Sequence, residues 1–89
     1  KPVSQETLYP LEMFKLSDLK VIGVLWGVSK PQAMIQLPTG AVVVVGVNEK
    51  IGINHGYISE IREGELVVIE QEIEGEKTSS VTHIMQVIQ

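Results

Sequence analysis

The chain has 89 residues, which is enough for one hydrophobic core and no more. Eleven acids against seven bases give a formal charge of -4. That disfavours a nucleic-acid module, which needs a basic face to displace phosphate counterions. The absence of cysteine removes disulfides, zinc knuckles and thiol nucleophiles.

Val and Ile together number 23, whereas Ala33 and Ala41 are the only alanines. β-Branched side chains are stiff at the first torsion and pack well on a pleated surface, so the composition reads as mostly β. No apolar run approaches the roughly 18 residues of a membrane helix. Smallness and composition together argue against a self-contained enzyme. The chain starts at Lys1 without methionine or signal peptide, so we expect a fragment or processed form. Lack of cysteine fits the cytosol and an exported protein equally.

In chain order, Lys1–Pro10 has no sustained period and holds two prolines. We expect an extended lead-in over residues 1–15 and one β domain over residues 16–89. In Leu11–Leu19 a real helix is disfavoured by length. Leu11, Phe14 and Leu16 can tuck onto a core there, and Ser17-Asp18 can form a single turn. Lys20–Val28 predicts a first strand, with Ile22, Val24, Trp26 and Val28 on one face and Val21 and Leu25 on the other. A strand apolar on both faces is covered twice or keeps one face for a partner. Gly23 and Gly27 share the second face and mark a bulge or a close approach.

Gln32–Leu37 alternates, with Ala33, Ile35 and Leu37 inward and Gln32, Met34 and Gln36 outward. Pro38-Thr39-Gly40 is a tight turn. It leads into Ala41–Val47, which predicts a central strand and the clearest hairpin in the chain. Asn48–Gly56 is a loop rich in turn formers (Asn48, Gly52, Asn54, Gly56), with Ile51 and Ile53 placed to pin it to the core. Tyr57–Arg62, Glu65–Ile73 and Val81–Ile88 predict three more strands. Glu63-Gly64 separates the first two, and a polar tip, Glu74–Ser80, separates the last two. Short strands with regular turn signals define an all-β class, a small antiparallel sandwich of six to seven strands or a partly open barrel.

Candidate chemistry is sparse. His55 and His83 are the only histidines, and they lack metal-ligand spacing, so no metal site is assigned. His55 reads as a solvated turn residue and His83 as a surface strand position. Glu70 and Glu72 share one strand face. With the other glutamates of the second half they read as a solvated face that protects a sheet from aggregation. Gly52-x-Asn54-x-Gly56 lacks the following helix that a dinucleotide loop needs. Trp26 is the one residue that points to a surface for a partner, because tryptophan is enriched at binding hot spots.

Several segments, taken in order, resemble the PilP family of type IV pilus assembly lipoproteins. They are Pro10-Leu11-Glu12, Leu16 to Leu19, Val21-Ile22-Gly23-Val24-Leu25, Ala33-Met34-Ile35, Pro38-x-Gly40, the loop Val45–Ile58 and Glu65–Glu70. The similarity spans about Pro10 to Ile73. Asn48-Glu49 stands where the family usually has Gly-Asp, and the tail from Glu74 matches only loosely. The homology region of the type II secretion protein GspC is the nearest alternative.

The resemblance implies a non-enzymatic periplasmic adaptor without cofactor or small-molecule substrate. Its β domain would dock on the N-terminal periplasmic domains of the secretin PilQ. A segment upstream of Lys1 would bind PilN and PilO, and a lipid on an upstream cysteine would tether the protein to the inner membrane. From the apolar pattern we expect Val21, Ile22, Val24, Trp26, Val28, Val43 and Val45 to offer the partner an apolar surface or a strand edge. Gly40, Asn48, Gly52, Asn54 and Gly56 are expected to shape turns. A reading from a different class is a small β-barrel that binds a ligand such as a glycan, which would gather its aromatics on one face.

Overall fold

The computed structural model describes residues 11–88, so the expected lead-in over Lys1–Pro10 lies outside the described residues. Two 3-10 turns, Leu11–Met13 and Leu16–Asp18, open the domain. Leu11 is buried in the core, and its carbonyl accepts the Gly52 N–H at 3.1 Å. The packed part of the chain therefore begins by Leu11, ahead of the boundary expected near residue 16.

Seven strands follow: β1 (Lys20–Leu25), β2 (Gln32–Gln36), β3 (Val42–Gly46), β4 (Lys50–Ile51), β5 (Gly56–Arg62), β6 (Glu65–Glu74) and β7 (Lys77–Gln86). They form two antiparallel sheets, β1-β2-β3 and β4-β5-β6-β7, as a small sandwich. A parallel bridge between Val21 and Val87 joins the sheets at one corner, where Ile88 N–H donates to the Val21 carbonyl at 2.9 Å. The core lies between the layers. Val21, Ala33, Ile35, Val43 and Val45 from the first sheet meet Ile51, Ile58, Ile61, Leu66 and Val68 from the second, with Leu11, Leu19 and Leu37 closing the ends.

Two bulges reset the alternation of side chains. In β1 the register shifts between Val21 and Gly23, so Ile22 is the extra residue, and Val21 and Val24 both turn toward the core. In β5 the shift between Ile58 and Glu60 does the same at Ser59, and Ile58 and Ile61 both point inward. A strict period of two across Lys20–Val28 had placed Val21 and Val24 on opposite faces. The bulge corrects that.

Three further expectations change. β1 stops at Leu25, with Gly27 at φ 71°, so Trp26 and Val28 lie in the β1–β2 connection. β3 is an edge strand and β2 the central one, because β4 joins the other sheet instead of continuing past β3. The polar tip shrinks to the two residues Gly75-Glu76. Glu74 pairs with Lys77 and Gln71 with Ser80, so β6 and β7 run on as a two-stranded arm with an exposed end.

Candidate docking surface

The hairpin of β2 and β3 turns at Pro38-Thr39-Gly40 as expected. Leu37 N–H donates to the Ala41 carbonyl at 2.8 Å, Gly40 N–H donates to the Leu37 carbonyl, and Gly40 sits at φ 95°. Register then fixes both faces. Ile35 opposes Val43 and Ala33 opposes Val45, all four buried, whereas Met34 opposes Val44 and Gln36 opposes Val42 toward solvent.

This corrects the expected surface. Val21 is 1% exposed and Val43 and Val45 are 5% exposed, so their side chains are core. Ile22 and Val24 are half-buried, and Val24 packs against the core. Trp26 and Val28 are each 47% exposed. The residues missed are Leu25, Met34, Val42 and Val44, all exposed. Across the outer face Gly23 lies opposite Met34, whose methyl sits 2.9 Å from where a Gly23 side chain would begin. The missing side chain leaves a shallow depression of about 240 Å³ lined by Gly23, Val24, Leu25, Gln32, Met34 and Val44.

Charge is segregated between the sheets. Residues 20–48, which contain all of β1-β2-β3, hold Lys20 and Lys30 and no carboxylate. Residues 49–89 carry eight of the eleven acids against three bases. The exposed apolar face therefore belongs to a carboxylate-free, weakly basic half of an acidic domain.

The second polar constellation lies on the other sheet. Glu70 was expected to share a solvated face with Glu72, yet it is 7% exposed. Its Oε1 lies 2.9 Å from His83 Nε2, a diagonal neighbour across β6 and β7. The loop turns fold over this carboxylate. Gly52 sits at φ 85° and Asn48 at φ 75°, Asn48 N–H donates to the Ile58 carbonyl at 2.7 Å, and the Asn54 carbonyl accepts Gln71 N–H at 3.0 Å. A methyl on Gly52 would come within 2.9 Å of Glu70 Oε2, and one on Gly56 would meet the Ile51 carbonyl and Glu70 Cγ. These glycines make room for Glu70. Ile51 pins the loop to the core as expected, but Ile53 is exposed. Glu72 and His55 are exposed, and His55 adopts φ 56° in its turn. Among the described residues, no group of three or more His, Asp or Glu side chains is placed to hold a metal ion. Trp26 lies in the β1–β2 connection of the first sheet and Tyr57 in β5 of the second, so the single aromatic face of a glycan binder is not formed by these two.

A two-sheet sandwich with one apolar, carboxylate-free face has the form of a small protein-interaction domain. The comparisons make the class specific. Residues 1–81 match the family described as pilus assembly protein PilP, and the chain belongs to that family. The fold is similar to the solution structure of PilP from Pseudomonas aeruginosa, at 26% identity and TM-score 0.76, over 100% of this chain and 80% of that one. It is also similar to a domain of the type IV pilus biogenesis lipoprotein PilP from Pseudomonas aeruginosa PA01, at 26% identity and TM-score 0.77, over 88% and 90% of the two chains. A domain of the Neisseria meningitidis PilP pilot protein matches at 26% identity and TM-score 0.66, over 88% and 69%. No curated protein matches the chain.

Proposed function

We propose that this domain is a non-enzymatic periplasmic adaptor of type IV pilus biogenesis that docks on the N-terminal domains of the secretin PilQ. PilN and PilO would bind a segment upstream of the domain, and a lipid on that segment would hold the protein at the inner membrane. The supporting observation is the outer face of β1-β2-β3. Leu25, Met34, Val42 and Val44 are exposed together, Trp26 stands at the end of β1, and no carboxylate occurs in that stretch of chain. A monomeric domain gains nothing from leaving such a face bare, and aromatic and Met side chains are enriched where partners bury surface.

Calorimetric titration of the domain with the purified N-terminal domains of the cognate secretin tests this. Trp26→Ala and Met34→Asp are the variants of choice because both side chains are exposed, so the fold should tolerate them. Each is expected to weaken binding at least tenfold with little change in melting temperature. Binding that is unchanged in both variants would remove the face from the docking site.

A further inference from the structure

The outer edge of β3 adds a direction to this face. Alternation in an antiparallel ladder gives every second residue's amide to the neighbouring strand and turns the others outward. Leu37 N–H bonds the Ala41 carbonyl, so Val43 and Val45 exchange bonds with β2, while Val42, Val44 and Gly46 turn their amides away from it. Gly46 confirms the phase, because its N–H donates to Glu49 Oε2 at 2.7 Å. Among the described residues no strand pairs with that edge. β3 also carries none of the charges or prolines that block edge pairing. The outward side chains of Val42 and Val44 border the same edge, and the depression floored by Gly23 lies next to Val44. Lys20 begins β1 at one end of the face and Lys30 lies in the connection at the other.

We propose that β3 accepts an extended segment of a partner protein as a fourth strand of this sheet, the segment being apolar at alternate positions and flanked by acidic residues. The amides and carbonyls of Val42 and Val44 bond its main chain. Its outward side chains continue the apolar face, with one large apolar side chain entering the depression as the flexible Met34 shifts aside. Residues 20–48 offer its acids no competing carboxylate; Lys30 precedes β2 beside the Gly46 end of the edge, where Gly46 holds Glu49, and Lys20 lies across the sheet on β1. A partner that entered by side-chain contacts alone would make no use of the free amides. The inference rests on the reading of this face as the docking surface, and it specifies how the face is used.

Val44→Pro is the discriminating variant. Its amide points away from β2, so proline there removes a donor from the free edge without breaking the β2–β3 ladder. Binding of the secretin domains is expected to fall at least tenfold in Val44→Pro, with melting temperature and amide spectrum otherwise retained. A second measurement needs no variant. An eight-residue peptide with aspartates at its ends, and valine, phenylalanine and valine alternating with threonines between them, is titrated while amide shifts are followed by NMR. Shifts at Val42–Gly46 are expected, and they should vanish when alternate peptide amides are N-methylated.

Secretin binding that is equal in wild type and Val44→Pro overturns strand addition and leaves the docking reading standing. Peptide binding blocked by N-methylation, without secretin binding, supports the strand site and overturns the secretin as its owner. Equal shifts from the plain and N-methylated peptides overturn the backbone mechanism, and silence from both probes overturns both proposals. Binding to phosphatidylglycerol vesicles in place of either probe assigns the face to a membrane and overturns the proposal.

Discussion

His83 Nε2 and Glu70 Oε1 are 2.9 Å apart, and they join the loop-covered side of β6 to β7. Glu70 is the only charged side chain among the buried residues described, and a buried polar group is costly unless it is bonded. Glu70→Ala removes the carboxylate from beneath Gly52 and Gly56 and leaves His83 without this partner. Loss of such a bond and its packing costs about 1–3 kcal/mol. In a domain of this size that lowers the melting point by roughly 4–8 °C per kcal/mol. Thermal unfolding followed by circular dichroism measures it, and an unchanged melting point would reduce the pair to a surface contact.

Gly52 and Gly56 should respond differently to that same change. Gly52→Ala meets the Glu70 carboxylate and, at 3.1 Å, Leu16, in a left-handed backbone. Gly56→Ala meets the Ile51 carbonyl, which is main chain. A double-mutant cycle with Glu70→Ala should therefore recover part of the Gly52→Ala loss, with a coupling of about 0.5–3 kcal/mol. Gly56→Ala should recover little, because its main obstacle remains. Equal coupling at both positions would contradict this geometry.

Much of this was legible in the sequence, and the failures have definite causes. The Pro38-Thr39-Gly40 hairpin and the loop formers Asn48 and Gly52 follow from turn chemistry, which is local. The inward set of β2 follows from strict alternation. The apolar run alone puts Val43 and Val45 on the docking surface, yet the turn contains the correction. With Met34 outward and the hairpin centred on Thr39, Val44 must share its face and Val43 must oppose buried Ile35. The Val21–Val24 parity was not legible, because a bulge is an event of pairing and any residue near Gly23 could have been the extra one. Glu70 was not legible either. Its burial depends on a loop folded over β6 from distant sequence, and its spacing from Glu72 looks the same in a fully solvated strand.

The parity of β3 gives a direct test of the corrected surface. Val43→Asp places a carboxylate among Ile35 and the core and should cost about 3 kcal/mol or more, enough to unfold a marginal domain. Val42→Lys changes an exposed position one residue away and should stay within about 0.5 kcal/mol of wild type. Chemical denaturation of the two variants reads both. A destabilising Val42→Lys with a tolerated Val43→Asp would invert the register.

The arm formed by the ends of β6 and β7 should be dispensable for folding. From Glu72 to Ser80 every described side chain is exposed, including Ile73, and no residue of this stretch belongs to the core cluster. The inner boundary is the bond from Gln71 N–H to the Asn54 carbonyl, which ties β6 to the loop over Glu70. Replacing Ile73–Thr78 by Asn-Gly keeps Glu72 opposite Ser79, a pair in the same hydrogen-bonding phase as Glu74 and Lys77 at the native turn, and closes the ladder with a two-residue turn suited to a hairpin. The shortened loop also has slightly less entropy to lose on folding. The expected result is a melting temperature within a few degrees of wild type and unchanged amide shifts at Ile58, Leu66 and Val68. A collapse of stability would mean that the arm braces the second sheet, and the exposed ladder would then have to contribute what its solvated side chains do not.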